Sequence, residues 1–222
     1  MAVSLLVLSA RSSSRAAGGS WVATSSRGSS RSGSARRICT PPSHQERNLL
    51  RLEECLAACE GREVVFHLAA RVGGIAFKLR EPGRIFYENV VMNSQILEAA
   101  RLRGVGRFVA IGSVCAYPKE PPVPTREEHL YEGKPEESNL AYGLTKRMLH
   151  AAVEAYRARY RMGAIYLLPA NLYGPGNNFD PEDSHVIPGL VRRFVEAVKS
   201  GARSVSAWGD GLSMRQFLYV ED

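Results

Sequence analysis

From residue 48 onward the chain alternates between two hydrophobic periods. Glu63-Val-Val-Phe-His-Leu-Ala-Ala70, Arg107-Phe-Val-Ala-Ile-Gly-Ser113 and Ala164-Ile-Tyr-Leu-Leu-Pro-Ala170 are short, nearly continuous apolar runs, the pattern of buried strands. Between them, apolar residues recur every three or four positions, the period of a helix with one buried face. Asn48 offers a cap to the first such stretch, residues 49–59, and Gly61 ends it. Pro82 opens the second, which carries Phe86, Val90, Ile96 and Leu97 and stops at Gly104. The third covers 139–161 and the fourth 186–200. Residues 117–138, rich in Pro and Glu, and residues 171–183 read as surface loops, and two apolar pieces, 205–208 and 217–220, close the chain. Strands alternating with helices imply an α/β fold with a doubly wound parallel sheet and right-handed crossovers. Ligands of such sheets bind at the carboxyl ends of the strands, where Ser113, Asn171 and the turn after Ala70 fall.

Residues 11–47 look different. They are Ser- and Arg-rich, lack apolar periodicity and are expected to form no core, so 1–47 reads as a disordered segment and 48–222 as the folded domain. This changes the meaning of the net charge of +7. Six arginines and no acid lie in residues 1–45, so the other 23 basic residues face all 22 acidic ones and leave the body at +1. A nearly neutral body has no basic footprint for nucleic acid, and none is expected as a partner. No apolar run is long enough to span a bilayer, and the apolar residues 1–10 have no basic residue before them, so neither a membrane span nor a secretory signal is expected. Of the four cysteines, Cys55 and Cys59 sit at helical spacing, and no second Cys/His pair completes a zinc set. They read as reduced, buried thiols of a cytoplasmic protein, with no metal.

The chemistry-bearing stretch is Asn139-Leu-Ala-Tyr-Gly-Leu-Thr-Lys146. Tyr142 and Lys146 are one helical turn apart and share a face. With Ser113 at a strand end, they form a site able to move a proton to or from a carbonyl or carbinol oxygen.

These residues resemble the extended short-chain dehydrogenase/reductase family, whose signature is Ser113 with Tyr142-x-x-x-Lys146 and the strand end His67-Leu-Ala-Ala70. Narrower motifs resemble its GDP-L-fucose synthase branch: Ala69-Ala-Arg-Val-Gly-Gly-Ile75, Gly112-Ser-Val-Cys-Ala-Tyr-Pro118, Pro169-Ala-Asn-Leu-Tyr-Gly-Pro175, Ser184-His-Val-Ile-Pro188, Trp208-Gly-Asp-Gly211 and Met214-Arg-Gln-Phe217. The resemblance implies a Rossmann-like sheet and an NADPH-dependent conversion of GDP-4-keto-6-deoxy-D-mannose to GDP-L-fucose, by epimerisation at C3 and C5 and reduction at C4. It implies that Tyr142 donates the proton to the C4 oxygen, that Ser113 hydrogen-bonds that oxygen, and that Lys146 favours the ionised phenol and binds the cofactor ribose. Cys115 and His185 are the implied acid–base pair of epimerisation. Ile111, Gly112, Ser113, Val114, Lys146, Pro169, Ala170, Asn171, Leu172 and His185 are the implied NADPH/NADP+ contacts, and Arg193, Trp208 and Arg215 the implied GDP-sugar contacts. Helices 82–103 and 139–161 correspond to those that pair across dimers, so a homodimer is expected. Two other readings stay open: another NDP-sugar epimerase or dehydratase, and a non-catalytic fragment.

The sequence departs from this family at its start, where a first strand and Gly-x-x-Gly-x-x-Gly are expected and not found. Trp21 has the single codon TGG. If each codon's third base is read with the next codon's first two, the Trp21–Val22 junction encodes glycine, and permitted codons turn residues 11–27 into a strand, the glycine turn and a helix start. Residues 11 to the mid-40s are therefore expected to be a frameshifted cofactor loop, with a transit peptide or a basic tail as alternatives. The chain is also expected to lack part of a C-terminal substrate domain.

Overall fold

The computed structural model describes residues 5–8, 48–72, 75–181, 184–207, 211 and 214–222. Four strands, β1 (Leu5–Leu8), β2 (Val64–His67), β3 (Arg107–Ile111) and β4 (Gly163–Leu167), pair in that order, each parallel to its neighbour. Five helices are described: α1 (Leu52–Cys59), α2 (Ile75–Arg80), α3 (Pro82–Leu102), α4 (Leu140–Tyr160) and α5 (Val186–Ser200). Two short strands, β5 (Asn171–Tyr173) and β6 (Phe217–Tyr219), form a second parallel pair.

The expected alternation of strands and helices is present, with these corrections. A first strand exists: Leu5–Leu8 pairs with Val64–His67, because its short apolar run completes the edge that β2 would otherwise leave open. The turn after Ala70 holds an additional helix, α2, and the loop starting at residue 171 begins with β5. Residues 49–51 lie before α1: Asn48 Oδ1 accepts the Leu50 amide at 3.1 Å, and the helix starts only after an extended Arg51. Residues 205–207 form no strand, whereas 217–219 do. The expected glycine turn, and the segment 9–47 as a whole, lie outside the described residues.

The strands explain the layers. Phe108, Val109 and Ala110 are consecutively buried in β3, as a central strand covered on both faces requires. In β4, Ala164 is buried while Ile165 and Leu167 are exposed, so this edge of the sheet is covered on one face only. The core joins Val65, Phe108 and Ala164 of the sheet to Cys55 and Cys59 of α1, Ile96, Leu97 and Ala100 of α3, and Leu149 and Val153 of α4. Each fully buried Leu, Ile or Phe in this set contributes about 1.5–3 kcal/mol. Cys55 and Cys59 are fully buried free thiols, and burial is the first cause that pushes both up to about 12.

α3 lies against both α1 and α4, and its buried face is not wholly apolar. Asn89 and Asn93, one turn apart, are both buried. Asn89 accepts the Arg71 amide at 2.9 Å and donates to the Arg71 carbonyl at 3.0 Å, clamping the chain just beyond β2. Asn93 Oδ1 lies 2.8 Å from His67 Nε2, and Asn93 Nδ2 donates to the Thr145 carbonyl in α4 at 3.4 Å. One polar layer therefore ties the end of β2 to α3 and α4. A buried asparagine left without these partners costs about 1–3 kcal/mol, so the layer fixes the registry of the three elements.

Burial, and next the Lys146 charge, lower the His67 pKa to about 4. The folded protein thus holds His67 neutral, with Nε2 donating to Asn93. Below about 6.5 the unfolded chain takes up a proton that the folded chain refuses until about 4, so this residue's contribution is intact at pH 7 and is lost as pH falls through that window. The expected loss is on the order of 3 kcal/mol. Urea unfolding at pH 7, 5.5 and 4.5 should show a steeper acid decline in the parent chain than in His67→Gln; equal slopes would rule out this residue as the cause.

Candidate active site

The carboxyl end of β3 is where the candidate residues meet. Ser113 is extended and caps a short 3-10 turn, Val114–Ala116, its Oγ accepting the Cys115 amide at 3.2 Å. Across from it, Tyr142 and Lys146 occupy the first two turns of α4. Lys146 is almost fully buried, and its Nζ donates to the Ile111 carbonyl at 2.7 Å. The same ammonium lies 5.7 Å from the centre of the Tyr142 ring. The Ser113 side chain lies near enough to the Tyr142 phenol to favour its ionised form.

Two glycines make this approach possible. A Cβ on Gly143 would collide with the Cys115 carbonyl and crowd Pro135, so only glycine lets α4 settle on the turn after β3. A Cβ on Gly112 would enter the Tyr166 ring. That ring belongs to β4, and its hydroxyl donates to the Lys146 carbonyl at 3.0 Å, bracing α4 from the sheet side.

The electrostatics differ from the expectation that Lys146 would favour an ionised phenol. Burial, then Cys115 and Tyr166, hold the Tyr142 phenol well above its ordinary range, and the nearby Ser113 side chain only partly opposes them. Burial pulls Lys146 down to about 8. Shielding from water sets both groups here, because the interior disfavours the charged form of each. A phenol that keeps its proton at neutral pH is suited to donating it.

The family model of the NAD dependent epimerase/dehydratase family matches residues 12–222. The chain belongs to this family. It is 39% identical over 165 residues to a GDP-L-fucose synthase of Escherichia coli, covering 74% of this chain and 51% of that protein. It is 40% identical over 154 residues to GDP-L-fucose synthase 1 of Arabidopsis thaliana, covering 69% and 48%. Among solved structures, a GDP-L-fucose synthetase of Naegleria fowleri bound to NADP superposes with a TM-score of 0.77 at 28% identity, covering 98% of this chain and 69% of that one. The chain spans about half the length of the curated relatives it matches.

The remaining expected residues of this epimerase-family chain are more dispersed. His185 is the exposed residue before α5, its carbonyl accepting the Gly189 amide at 2.9 Å. Although the residue presents much of its surface to water, the atoms packed around its imidazole, and next the Lys78 charge, lower its pKa. Pro169 and Ala170 are half-buried between β4 and β5, while Asn171 and Leu172 lie in β5, where Asn171 Nδ2 donates to the Gln216 carbonyl at 3.0 Å. Arg193 reaches the Ser206 carbonyl at 3.2 Å, and Arg215 bonds only the neighbouring Met214 carbonyl among the contacts described, at 3.0 Å. Trp208 lies outside the described residues.

Two neighbours of the site escaped the sequence reading. Tyr166 looks like one more apolar strand residue, and only the glycine at 112 hints at the ring that fills its place. Lys78 stands on α2, which no periodicity marks; its Nζ donates to Asn139 Oδ1 at 2.7 Å and lies 5.8 Å from the Tyr142 ring centre.

Gly143→Ala offers a test of the packing. Alanine favours a helix by about 1 kcal/mol, but the collision with the Cys115 backbone costs about 1–3 kcal/mol and moves α4 rather than the turn. The variant should keep its helical circular dichroism, melt no higher than the parent, and lose on the order of 10²-fold in turnover in an active version of the enzyme, because Tyr142 leaves Ser113. Full turnover would show that the close approach is unimportant.

Proposed function

We propose that this chain carries the Rossmann-like half of an NADPH-dependent epimerase/reductase that converts GDP-4-keto-6-deoxy-D-mannose to GDP-L-fucose. The observation that carries this reading is the gathering of Ser113, Cys115, Tyr142 and Lys146 around the end of β3, with Lys146 buried against the Ile111 carbonyl. The names of the relatives point the same way.

The residues suit a nicotinamide dinucleotide. Lys146 uses one ammonium proton on Ile111, which leaves donors for a ribose. When bound, the cofactor supplies the hydride for the C4 ketone. Ser113 hydrogen-bonds the ketone oxygen, and Tyr142, held protonated by burial, delivers the proton to it. Lys146 gives the polar anchor that orients both the ribose and the phenol. For epimerisation, protons leave and return at carbons next to the ketone, whose oxygen takes up the charge that develops. His185, held neutral near pH 7, serves as the base on one side, and the Cys115 thiol serves on the other. Arg193 and Arg215 belong to the grip on the GDP diphosphate.

The working assembly in this reading is a cytoplasmic homodimer. The exposed Phe86, Tyr87 and Leu144 on the outer faces of α3 and α4 support a second copy there. No helix of the described residues is long and apolar enough to cross a membrane.

Tyr142→Phe should lower C4 reduction by about 10²–10⁴-fold in a version of the enzyme with an intact cofactor loop, with NADPH binding unchanged. Assay of that version against GDP-4-keto-6-deoxymannose and UDP-glucose separates the substrate readings; turnover of UDP-glucose alone would overturn the one proposed.

If residues 11 to the mid-40s are the shifted frame of the cofactor loop, the chain as written should bind NADPH weakly, and restoring the frame should tighten binding by orders of magnitude. Fluorescence titration decides this: micromolar binding by the unaltered chain would sink the frameshift reading.

A further inference from the structure

Arg147 stands one residue beyond the chemistry-bearing stretch, and no step of the proposed reaction calls on it. It is nevertheless a buried cation. Its Nε donates to the Ala116 carbonyl at 2.6 Å, and its Nη1 donates to the Gly133 carbonyl at 2.6 Å. Among the described residues no carboxylate pairs with it, and its Nη2 is buried without a hydrogen-bond partner. A guanidinium taken out of water in this way is unfavourable by itself. What it does there is join two backbone segments to α4.

The first segment is the turn after β3. Lys146 Nζ holds the Ile111 carbonyl at 2.7 Å, and Arg147 Nε holds the Ala116 carbonyl. Between those two carbonyls lie Gly112, Ser113, Val114 and Cys115. Consecutive cations of one helix thus grip both ends of the segment that carries Ser113 and Cys115. Inside it, Ser113 Oγ accepts the Cys115 amide at 3.2 Å, and the Ser113 carbonyl accepts the Ala116 amide at 3.0 Å. Cys115 is one residue from the Arg147 anchor. Ala116 is fully buried, so water does not replace the guanidinium at its carbonyl.

The second segment closes the loop 117–138. The Lys119 amide donates to the Lys134 carbonyl at 2.9 Å, beside Gly133. From the same loop, the Tyr131 ring lies 5.9 Å from the guanidinium, and its hydroxyl donates to the Arg147 carbonyl at 3.1 Å. Arg147 is therefore held at both its backbone and its tip. A planar fork with fixed donor directions suits two carbonyls at set positions, whereas an ammonium on a flexible stem does not fix both.

We propose that Arg147 is a positioning residue for Cys115: by holding the Ala116 and Gly133 carbonyls against α4, it fixes the turn that presents the thiol, while Lys146 independently fixes the Ser113 end. Losing the fork frees the Cys115 end of the turn and leaves Tyr142 and Lys146 in place.

The first measurement does not need turnover. Labelling of each cysteine by iodoacetamide is followed by peptide mass spectrometry in the parent chain, in Arg147→Met and in Arg147→Lys. Cys115 should label about tenfold faster in Arg147→Met, the least expected when a charge-assisted bond to a buried carbonyl is lost and the turn opens locally. Cys55 and Cys59, in the core under α1, should keep their slow rates, and Arg147→Lys should fall between parent and Arg147→Met. Thermal melting checks the fold, and if Arg147→Met does not fold, Arg147→Lys carries the same comparison. An unchanged Cys115 rate in a folded variant overturns the proposal. Equal acceleration at Cys55, Cys59 and Cys115 also overturns it, since Arg147 would then support the fold as a whole.

The activity arm rests on the functional reading of Cys115. In a version with an intact cofactor loop, Arg147→Met should slow deuterium exchange at the carbons next to the ketone by about 10²-fold, the effect of a misplaced acid–base group. NADPH oxidation should fall far less, and the reduced product should keep more of the substrate's C3 and C5 configuration. Equal losses in exchange and reduction would overturn the assignment to Cys115. Selective labelling in a version that shows neither exchange nor reduction overturns the functional reading and leaves the Arg147 clamp standing.

Discussion

A buried ammonium at the end of a strand is the constraint on which this structure turns. Lys146 is nearly inaccessible to water, and its recorded hydrogen bond goes to the Ile111 carbonyl at 2.7 Å. Placing a cation there is unfavourable, as its depressed pKa of about 8 records. The surrounding elements are arranged so that the cost is met. α4 must come close enough for Lys146 to reach the strand, which explains the glycine at 143, and Tyr166 must brace the Lys146 backbone, which explains the glycine at 112. The local chemistry of Gly112-Ser113 and Tyr142-Gly143 is one packing solution, divided between two distant stretches of sequence.

Behind that cation lies a second polar layer with a different purpose. His67, Asn93 and the Thr145 carbonyl connect β2, α3 and α4, and Thr145 Oγ1 donates back to the Tyr142 carbonyl at 2.7 Å. An apolar layer of the same volume would stabilise the fold at least as well, but it would tolerate sliding of α3 along α4. Directional bonds to backbone carbonyls do not. The layer therefore holds the helix that carries Tyr142 and Lys146 in one registry, and its own His67 is kept neutral partly because Lys146 is near.

Much of this was legible in residue order, and the illegible parts share a cause. Strand β3 and helices α3, α4 and α5 fall within a few residues of their expected bounds, since their periodicity is long and Pro82 and Gly104 mark the start and stop of α3. Ser113, Tyr142 and Lys146 were expected together and lie together. What residue order hid depends on partners in space. β1 becomes a strand only by pairing with β2, and its four apolar residues carry no period of their own. Asn89 and Asn93 interrupt the apolar face of α3 in a way that reads as a surface, yet each is buried against a named backbone group. The reversed balance at Tyr142, raised and not lowered, comes from burial, which spacing alone does not report.

The two proton-handling jobs of the proposed reaction need opposite acid–base settings, and the structure provides them by different means. Reduction calls for a donor that keeps its proton until the ketone oxygen becomes basic, and the interior between β3, β4 and α4 raises Tyr142 accordingly. Epimerisation calls for a base that is free at neutral pH, and His185 stands where α5 begins, with its imidazole lowered. Burial alone serves both directions, because it disfavours an anion on the phenol and a cation on the imidazole alike. A neighbouring ammonium does not: it opposes the raised phenol and reinforces the lowered imidazole. Two such ammoniums approach Tyr142, and its pKa is nevertheless raised, so burial dominates at the phenol.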